Sequence, residues 1–319
     1  MTAAAPRPKV VVALPLAERL LDQLAECDVT FLPAGRSDGA AFETAVGEAD
    51  GLLVGSTVIV DRDLMASAPR LRVISTMSVG LDHIDLDAAH QREIVVTITP
   101  VLSDAVADLA MALMTMLSRR VIEGMRAVTA GRWSGVPLGG DLADKQLFIV
   151  GFGRIGQALA TRARAARMRV SHLDGRADLP VMDGVDRVRN LLEGLRDADF
   201  VSLHVDLNAE TRHLMGAEAF ALMKPSAFLV NTSRGAVVDQ AALARALATH
   251  EIAGAALDVL EEEPPDPDDP LLGAPNVIVV PHIGSATTET RDAMARCAVD
   301  NLLMVLRDEG SPFVVTERE

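Results

Sequence analysis

The stretch QLFIVGFGRIG, residues 146–156, reads as a short buried strand that runs directly into a glycine-rich turn and the first residues of a helix. Gly151, Gly153 and Gly156 stand at GxGxxG spacing. In that setting the first glycine permits a tight turn, the second lets backbone approach a pyrophosphate, and the third lets the helix pack closely on its strand. Backbone amides and the positive end of the helix then hold phosphate oxygens. A lone match of this kind is weak, because simple tight packing also produces glycine turns. It gains weight from Asp174, which ends the next apolar run 18 residues after Gly156, close to the roughly 20 at which an acidic side chain meets a ribose.

An acidic residue there favours NAD, since a 2′-phosphate would meet its charge. Arg176, two residues on, could instead clamp that phosphate, which leaves NADP(H) open beside NAD(H). A solvated surface charge is the plainer reading of Arg176. His204 ends the run DFVSLH (199–204) and is expected to border the cofactor through its backbone; Thr232, in NTSRG, is placed with the cofactor set.

Short apolar runs at Lys9 to Leu14, Val29 to Leu32, Gly51 to Val54, Val73 to Ser75 and Ile94 to Val96 predict strands with helical patterns between several of them, a first α/β layer. A proline-free stretch from Ser103 to about Gly131 predicts one long helix leading out of that layer. After the glycine turn, a helix is expected from about Ile155 to Arg169. Further strands are expected at 227–230, 254–259 and 277–280, apolar on both faces, as in a sheet covered on both sides. The stretch from Thr287 to Arg307 predicts a last long helix that returns to the first layer. The expected fold class is therefore α/β, with two doubly wound parallel-sheet domains. Residues 1–98 and 286–319 form one, discontinuous in sequence, and residues 99–285 form the nucleotide-binding other.

The chain has 319 residues, enough for two domains, and about half are apolar (49%). Its formal net charge of -15 argues against nucleic acid and anionic membrane as partners, so an anionic ligand must be drawn in by local cations. The two cysteines, Cys27 and Cys297, lack metal-ligand spacing and read as free thiols in a reducing cytoplasm. The N-terminal MTAAAPRPKVVVALP is too briefly apolar for a signal peptide, and no window approaches a membrane span.

Three polar residues sit at or just beyond the predicted strand ends: Arg234 in NTSRG, Glu263 in EEEPP and His282 in PHIGS. Strand carboxyl ends are where ligands bind in open parallel sheets. Hydride transfer to a carbonyl needs a proton donor, a cation for a neighbouring carboxylate and a means of holding the donor protonated. His282 suits the first, with an ordinary pKa of about 6.5. Arg234 suits the second through its planar, two-pronged fork. Glu263 suits the third, since a carboxylate beside imidazole favours the cation. Taken singly, Glu263 is one more charge in an acidic loop and His282 a hydrogen-bonded strand-end histidine. Beside a dinucleotide turn, the set points to catalysis. The Val79-Gly80 turn in STMSVGLDHIDLD (75–87) offers amides suited to an anion, with His83 beside it in a structural role.

Through STMSVGLDHIDLD, VADLAMALM, VGFGRIG, MKPSAFLVNTSRGAVVD, ALDVLEEEPP and VPHIGSAT, nearly the whole chain resembles the D-isomer-specific 2-hydroxyacid dehydrogenases, most of all the glyoxylate/hydroxypyruvate reductase branch. The resemblance implies a Rossmann-type nucleotide domain, a flavodoxin-like substrate domain, a homodimer, and Arg234, Glu263 and His282 as catalytic residues. It also implies that Val79 and Gly80 bind the substrate carboxylate and that Ser285 borders the substrate. Arg154 and Ile155 would lie on the pyrophosphate and Asp258 on the nicotinamide carboxamide. The implied activity is NAD(P)H-dependent reduction of small 2-keto acids, glyoxylate or hydroxypyruvate, and the reverse oxidation. A dehydrogenase of another acid, such as 3-phosphoglycerate, or a dinucleotide-sensing protein of the corepressor kind are the alternatives. The chain departs from the pattern at Asp206 and Asn208, where many members read His-x-Pro-x-Thr from His204 onward. It departs again at Val136, where the resembling hydroxypyruvate reductases carry a second tryptophan after the one matching Trp133.

Overall fold

A computed structural model of the chain describes residues 6–32, 39–274 and 276–315. The first five residues of the N-terminal stretch read above lie outside that set. The backbone divides into two compact units, Met1–Leu102 with Thr287–Glu319, and Ser103–Ala286.

The first unit holds β1 (Lys9–Ala13), β2 (Asp28–Phe31), β3 (Gly51–Val54), β4 (Val73–Thr76) and β5 (Val95–Thr97), with the short helices α1 (Glu18–Leu21), α2 (Ala40–Gly47), α3 (Arg62–Ser67) and α4 (Leu86–Gln91) between them. All neighbouring strands are parallel, in the order β2-β1-β3-β4-β5, which is the flavodoxin-like arrangement. Alternate residues enter opposite cores. Val11, Ala13, Leu52 and Val54 face one, while Val10, Val12 and Leu53 face the other. A strand buried on both faces needs apolar residues at every position, and the β-branched run at Val10 to Val12 meets that need.

The second unit opens with α5 (Ser103–Ser118) and α6 (Val121–Thr129), then alternates β6 (Gln146–Val150), α7 (Arg154–Ala165), β7 (Arg169–Leu173), β8 (Val185–Arg187), α8 (Leu191–Asp197), β9 (Phe200–Leu203), α9 (Ala217–Leu222), β10 (Phe228–Asn231), α10 (Gln240–Ala248), β11 (Gly254–Leu257) and β12 (Val277–Val279). Its sheet runs β12-β11-β10-β9-β6-β7-β8, again parallel throughout. The winding reverses between β6 and β9, so the crevice beyond their carboxyl ends is the expected ligand position. Phe148 and Val150 point into one core and Leu147 and Ile149 into the opposite one. Both chain layers thus have the predicted fold class.

The chain then returns to the first unit as α11 (Thr288–Leu306), started by Thr287, whose side chain accepts the Thr290 amide. Ala298, Val299, Leu302 and Leu303 pack with Val10, Val12, Leu53 and Val73.

Two expectations change. The single helix from Ser103 to Gly131 is broken after Ser118, because Arg120 takes a left-handed φ of 52° and starts a new helix. The helix after the glycine turn stops at Ala165, and Arg167, with φ 61°, turns the chain so that Arg169 already belongs to β7.

Candidate active site

Three adjacent strands of the second sheet hand the chain to turns that carry polar residues. β10 leads into Thr232-Ser233-Arg234, β11 into Asp258 and the loop to Glu263, and β12 into His282 and Gly284.

Glu263 and His282 meet directly, with Oε2 of the carboxylate 2.8 Å from Nδ1 of the ring. Oε1 accepts the Leu260 amide at 3.1 Å. Hydrogen bonding to Glu263 raises the His282 pKa above its ordinary value, against partial burial that would lower it. On Glu263, burial pushes the carboxyl up, but His282, the Leu260 amide and the charge of Arg234 hold it below its ordinary value. The pair therefore favours carboxylate and imidazolium together, and Nε2 is the ring nitrogen left for a ligand.

His282 has a left-handed φ of 51°, rare for a residue with a side chain. Hydrogen bonds hold it there: its amide donates to the carbonyls of Asp258 (2.9 Å) and Val280 (3.0 Å). The Asp258 carboxylate accepts the next two amides, Ile283 at 2.6 Å and Gly284 at 2.8 Å. Asp258 is buried, and burial raises its carboxyl although those amides and His282 pull it down. Both of its oxygens are thus engaged by the turn that carries His282, each with one further lone pair for another donor.

Arg234 follows an extended backbone (φ −136°, ψ 141°), and its Nη1 donates to the Ser233 carbonyl at 2.8 Å. The next residue must be glycine, because a Cβ on Gly235 would lie 1.9 Å from the Leu260 carbonyl carbon. The turn of Arg234 and the loop of Glu263 are therefore in backbone contact, and the Arg234 charge acts on both Glu263 and His282.

The glycine turn supports a dinucleotide. Gly151 has φ 92°, and a Cβ there would come within 2.4 Å of the His204 carbonyl oxygen; on Gly156 it would meet the Gly151 oxygen at 2.3 Å. The protein's own packing demands both glycines. At Gly153 it does not: a Cβ would approach only the end of Arg176, at 3.5 Å, so that face is open to a ligand. Gly153 precedes α7, with Arg154 exposed and Ile155 half-buried at its start. Asp174 ends β7 beside this turn, its Oδ2 accepting the Phe152 amide at 2.7 Å. Burial would raise its carboxyl, but hydrogen bonds from the Arg176 side chain and amide and from Phe152 hold its pKa to about 2. The Arg176 fork grips both Asp174 oxygens, Nε to Oδ1 and Nη2 to Oδ2 at 3.1 Å each. Arg187 holds the same loop by its donation to the carbonyls of Asp174 (2.9 Å) and Arg176 (2.7 Å).

At the ends of β9 and β10, His204 Nδ1 and Thr232 Oγ1 are enclosed without a protein partner among the described residues. Orphaned polar atoms in a sheet crevice are what a bound polar group would satisfy. The other His204 nitrogen meets Ser202 Oγ at 2.8 Å, and burial depresses the ring to about 3, so it stays neutral. A nicotinamide dinucleotide thus fits the residues present: amides of the 151–156 turn for phosphates, Asp174 and Arg176 for the adenosine ribose end, and Thr232 and His204 toward the middle of the crevice.

Ser285 follows Gly284, half-buried. Val79 and Gly80 lie in the other unit, in the turn after β4, where Ser78 Oγ donates to the Gly80 carbonyl at 2.8 Å. His83 Nε2 meets Thr76 Oγ1 at 3.0 Å, in keeping with a structural part. The divergent stretch after His204 is closed by Asn208, whose Oδ1 accepts the amides of Glu210 (2.8 Å) and Thr211 (3.0 Å).

Sequence reasoning passed over Asn231 and Gln240. Gln240 ties α10 to the Glu263 loop: its amide donates to Glu261 Oε1 at 2.9 Å, and its Oε1 accepts the Glu261 amide at 3.1 Å. Asn231 is completely buried at the end of β10 and folds the Arg234 turn back on itself. An amide side chain inside an apolar strand was the available signal for Asn231; nothing local marks Gln240.

Residues 111–284 match the family model described as the D-isomer specific 2-hydroxyacid dehydrogenase NAD binding domain. The chain is 42% identical over 322 residues to a glyoxylate reductase of Korarchaeum cryptofilum, with 98% of this chain and 96% of that protein covered. It is 47% identical over 270 residues to glyoxylate/hydroxypyruvate reductase B of Escherichia fergusonii, covering 82% and 83%. Among solved structures, it resembles the NADPH-dependent glyoxylate/hydroxypyruvate reductase of Sinorhizobium meliloti in complex with NADP and malonate, with TM-score 0.87 and 31% identity over 98% of this chain and 100% of that one.

Proposed function

The chain belongs to the D-isomer-specific 2-hydroxyacid dehydrogenase family, and we propose that it reduces glyoxylate and hydroxypyruvate to the 2-hydroxy acids, D where a stereocentre forms, and runs the reverse oxidation. The observation that carries this is the Glu263–His282 pair, 2.8 Å apart, held with Arg234 at the ends of neighbouring strands. A nicotinamide cofactor held by the 151–156 turn, Asp174, Thr232 and Asp258 would supply the hydride. His282 donates the proton from Nε2 to the keto oxygen, and takes one back in oxidation. Glu263 holds the ring by Nδ1 and favours its protonated form. Arg234 binds the carboxylate through its fork and draws charge from the keto oxygen. The amides of Val79 and Gly80 are assigned to the substrate carboxylate, and Ser285 to the border of the substrate.

Of the two dinucleotides, NADH is preferred. Asp174, ionised down to about pH 2, opposes a 2′-phosphate, while Arg176 can leave it to grip one and admit NADPH as the second cofactor. Two copies associate through the apolar side chains of Trp133, Val136 and Leu138; Trp133 and Leu138 are 92% and 96% exposed. No helix of the described residues is long and apolar enough to cross a membrane, and the free Cys27 and Cys297 suit the cytoplasm.

The test is the initial rate of NADH or NADPH oxidation with glyoxylate, hydroxypyruvate, pyruvate and 3-phosphohydroxypyruvate. Turnover on either of the first two that vanishes in His282→Ala supports the assignment. Cofactor binding without turnover on any of the four overturns it.

A further inference from the structure

We infer that Asn231 is a positioning residue that sets the aim of Arg234, a role that rests on the reading of Arg234 as the carboxylate clamp. Asn231 ends β10 with no exposed surface. Its Nδ2 donates to the Arg234 carbonyl at 2.9 Å, and its Oδ1 accepts both the amide (3.0 Å) and the hydroxyl (2.8 Å) of Ser233. One side chain thereby closes the loop between the strand and the functional arginine. The Arg234 carbonyl has a second donor, the Val237 amide, at the longer distance of 3.3 Å.

On the far side of Arg234 the backbone is fixed differently, by the contact of Gly235 with Leu260. The Arg234 Cα is held between an amide clamp behind and a backbone wall in front. Its own Nη1 bond to Ser233 depends on the same loop. The chemistry required of position 231 is exacting: a donor toward one carbonyl and an acceptor toward an amide and a hydroxyl, from a side chain buried away from solvent. Only a carboxamide of this length supplies both. An aspartate of the same shape would set acceptor against acceptor at the Arg234 carbonyl, and a serine is too short to span the turn.

The backbone of Asn231 also joins the next turn, since its carbonyl accepts the Asp258 amide at 2.9 Å and the Asp258 carbonyl accepts that of His282 at 2.9 Å. That ladder uses main-chain atoms alone, so a side-chain change at 231 should leave the His282 turn in place. The effect therefore falls on substrate binding before it falls on proton transfer.

The experiment is a double-mutant cycle on the full-length enzyme with NADH: wild type, Asn231→Asp, Arg234→Ala and both, with Asn231→Ser as a second variant should the first not fold. Asn231→Asp is expected to raise the glyoxylate KM about 10- to 100-fold with a smaller fall in kcat, the scale of a slightly misplaced binding group. In the Arg234→Ala background the same change should alter kcat/KM less than about threefold, since the partner it acts through is gone. NADH affinity, measured by calorimetry, should hold. Equal losses in both backgrounds, or a parallel loss of NADH affinity, would overturn the inference. A wild type that reduces no 2-keto acid would sink the functional reading on its own. The cycle is then read on oxamate affinity for the NADH complex, where the same non-additivity decides for Asn231.

Discussion

Replacing Glu263 by glutamine tests the electrostatic heart of the site. In the oxidative direction His282 must be unprotonated to take a proton, so the acidic limb of kcat/KM follows its pKa. The Glu263 hydrogen bond raises that pKa, and partial burial opposes it. Opposite unit charges 2.8 Å apart attract by about 1.5 kcal/mol at the dielectric of water. That weak end of the range applies because the side chains are 44% and 39% exposed, and solvent screens the pair. Glutamine keeps the shape and an acceptor for Nδ1–H but no charge. The imidazolium loses its stabiliser, its pKa falls, and the limb moves toward lower pH. Initial rates of glycerate oxidation with saturating cofactor, from about pH 5 to 9, read the shift directly. A limb that stays in place, or moves upward, refutes the coupling of Glu263 to His282.

His282→Ala should lower kcat by roughly 10²- to 10⁴-fold, with NADH binding by calorimetry unchanged. Arg234→Ala should act chiefly on the glyoxylate KM, and a KM that stays put in steady-state assays would remove the clamp. Arg176→Ala should cut kcat/KM with NADPH by about tenfold or more while that with NADH holds or improves, because Asp174 is then released to the ribose; equal effects on both cofactors would show that Arg176 carries no discrimination. Gly235→Ala, which drives a methyl into Leu260, should cost about 100-fold or more in kcat/KM by moving the Arg234 turn. A crystal structure of that variant with the turn unmoved would contradict this.

The glycine turn was legible because its three glycines stand within six residues, directly after an apolar run, although the wall that demands Gly151 is the sequence-distant His204 carbonyl. The strand ends carrying Arg234, Glu263 and His282 were legible through short two-face apolar runs, although only folding shows that Nδ1 of His282 reaches Glu263. β8 escaped notice because its three residues are largely solvent-facing and carry no period. The break at Arg120 was hidden since apolar spacing continues across it; a left-handed residue there resets the helix without altering composition. Asn231 was passed over for a related reason: what matters is its hydrogen bonding to a chain that folds back, which no pattern of hydropathy encodes.

The return of α11 has a consequence for biogenesis. On the ribosome, β1 to β5 emerge first, yet the sheet face lined by Val10, Val12, Leu53 and Val73 waits for its cover until residues 288–306 have been made. The whole second unit is synthesised in between, as an uninterrupted segment able to fold on the tether. A nascent chain therefore carries an apolar sheet face through most of its translation, one that a chaperone can shield and that a premature stop before Thr288 would leave exposed for good.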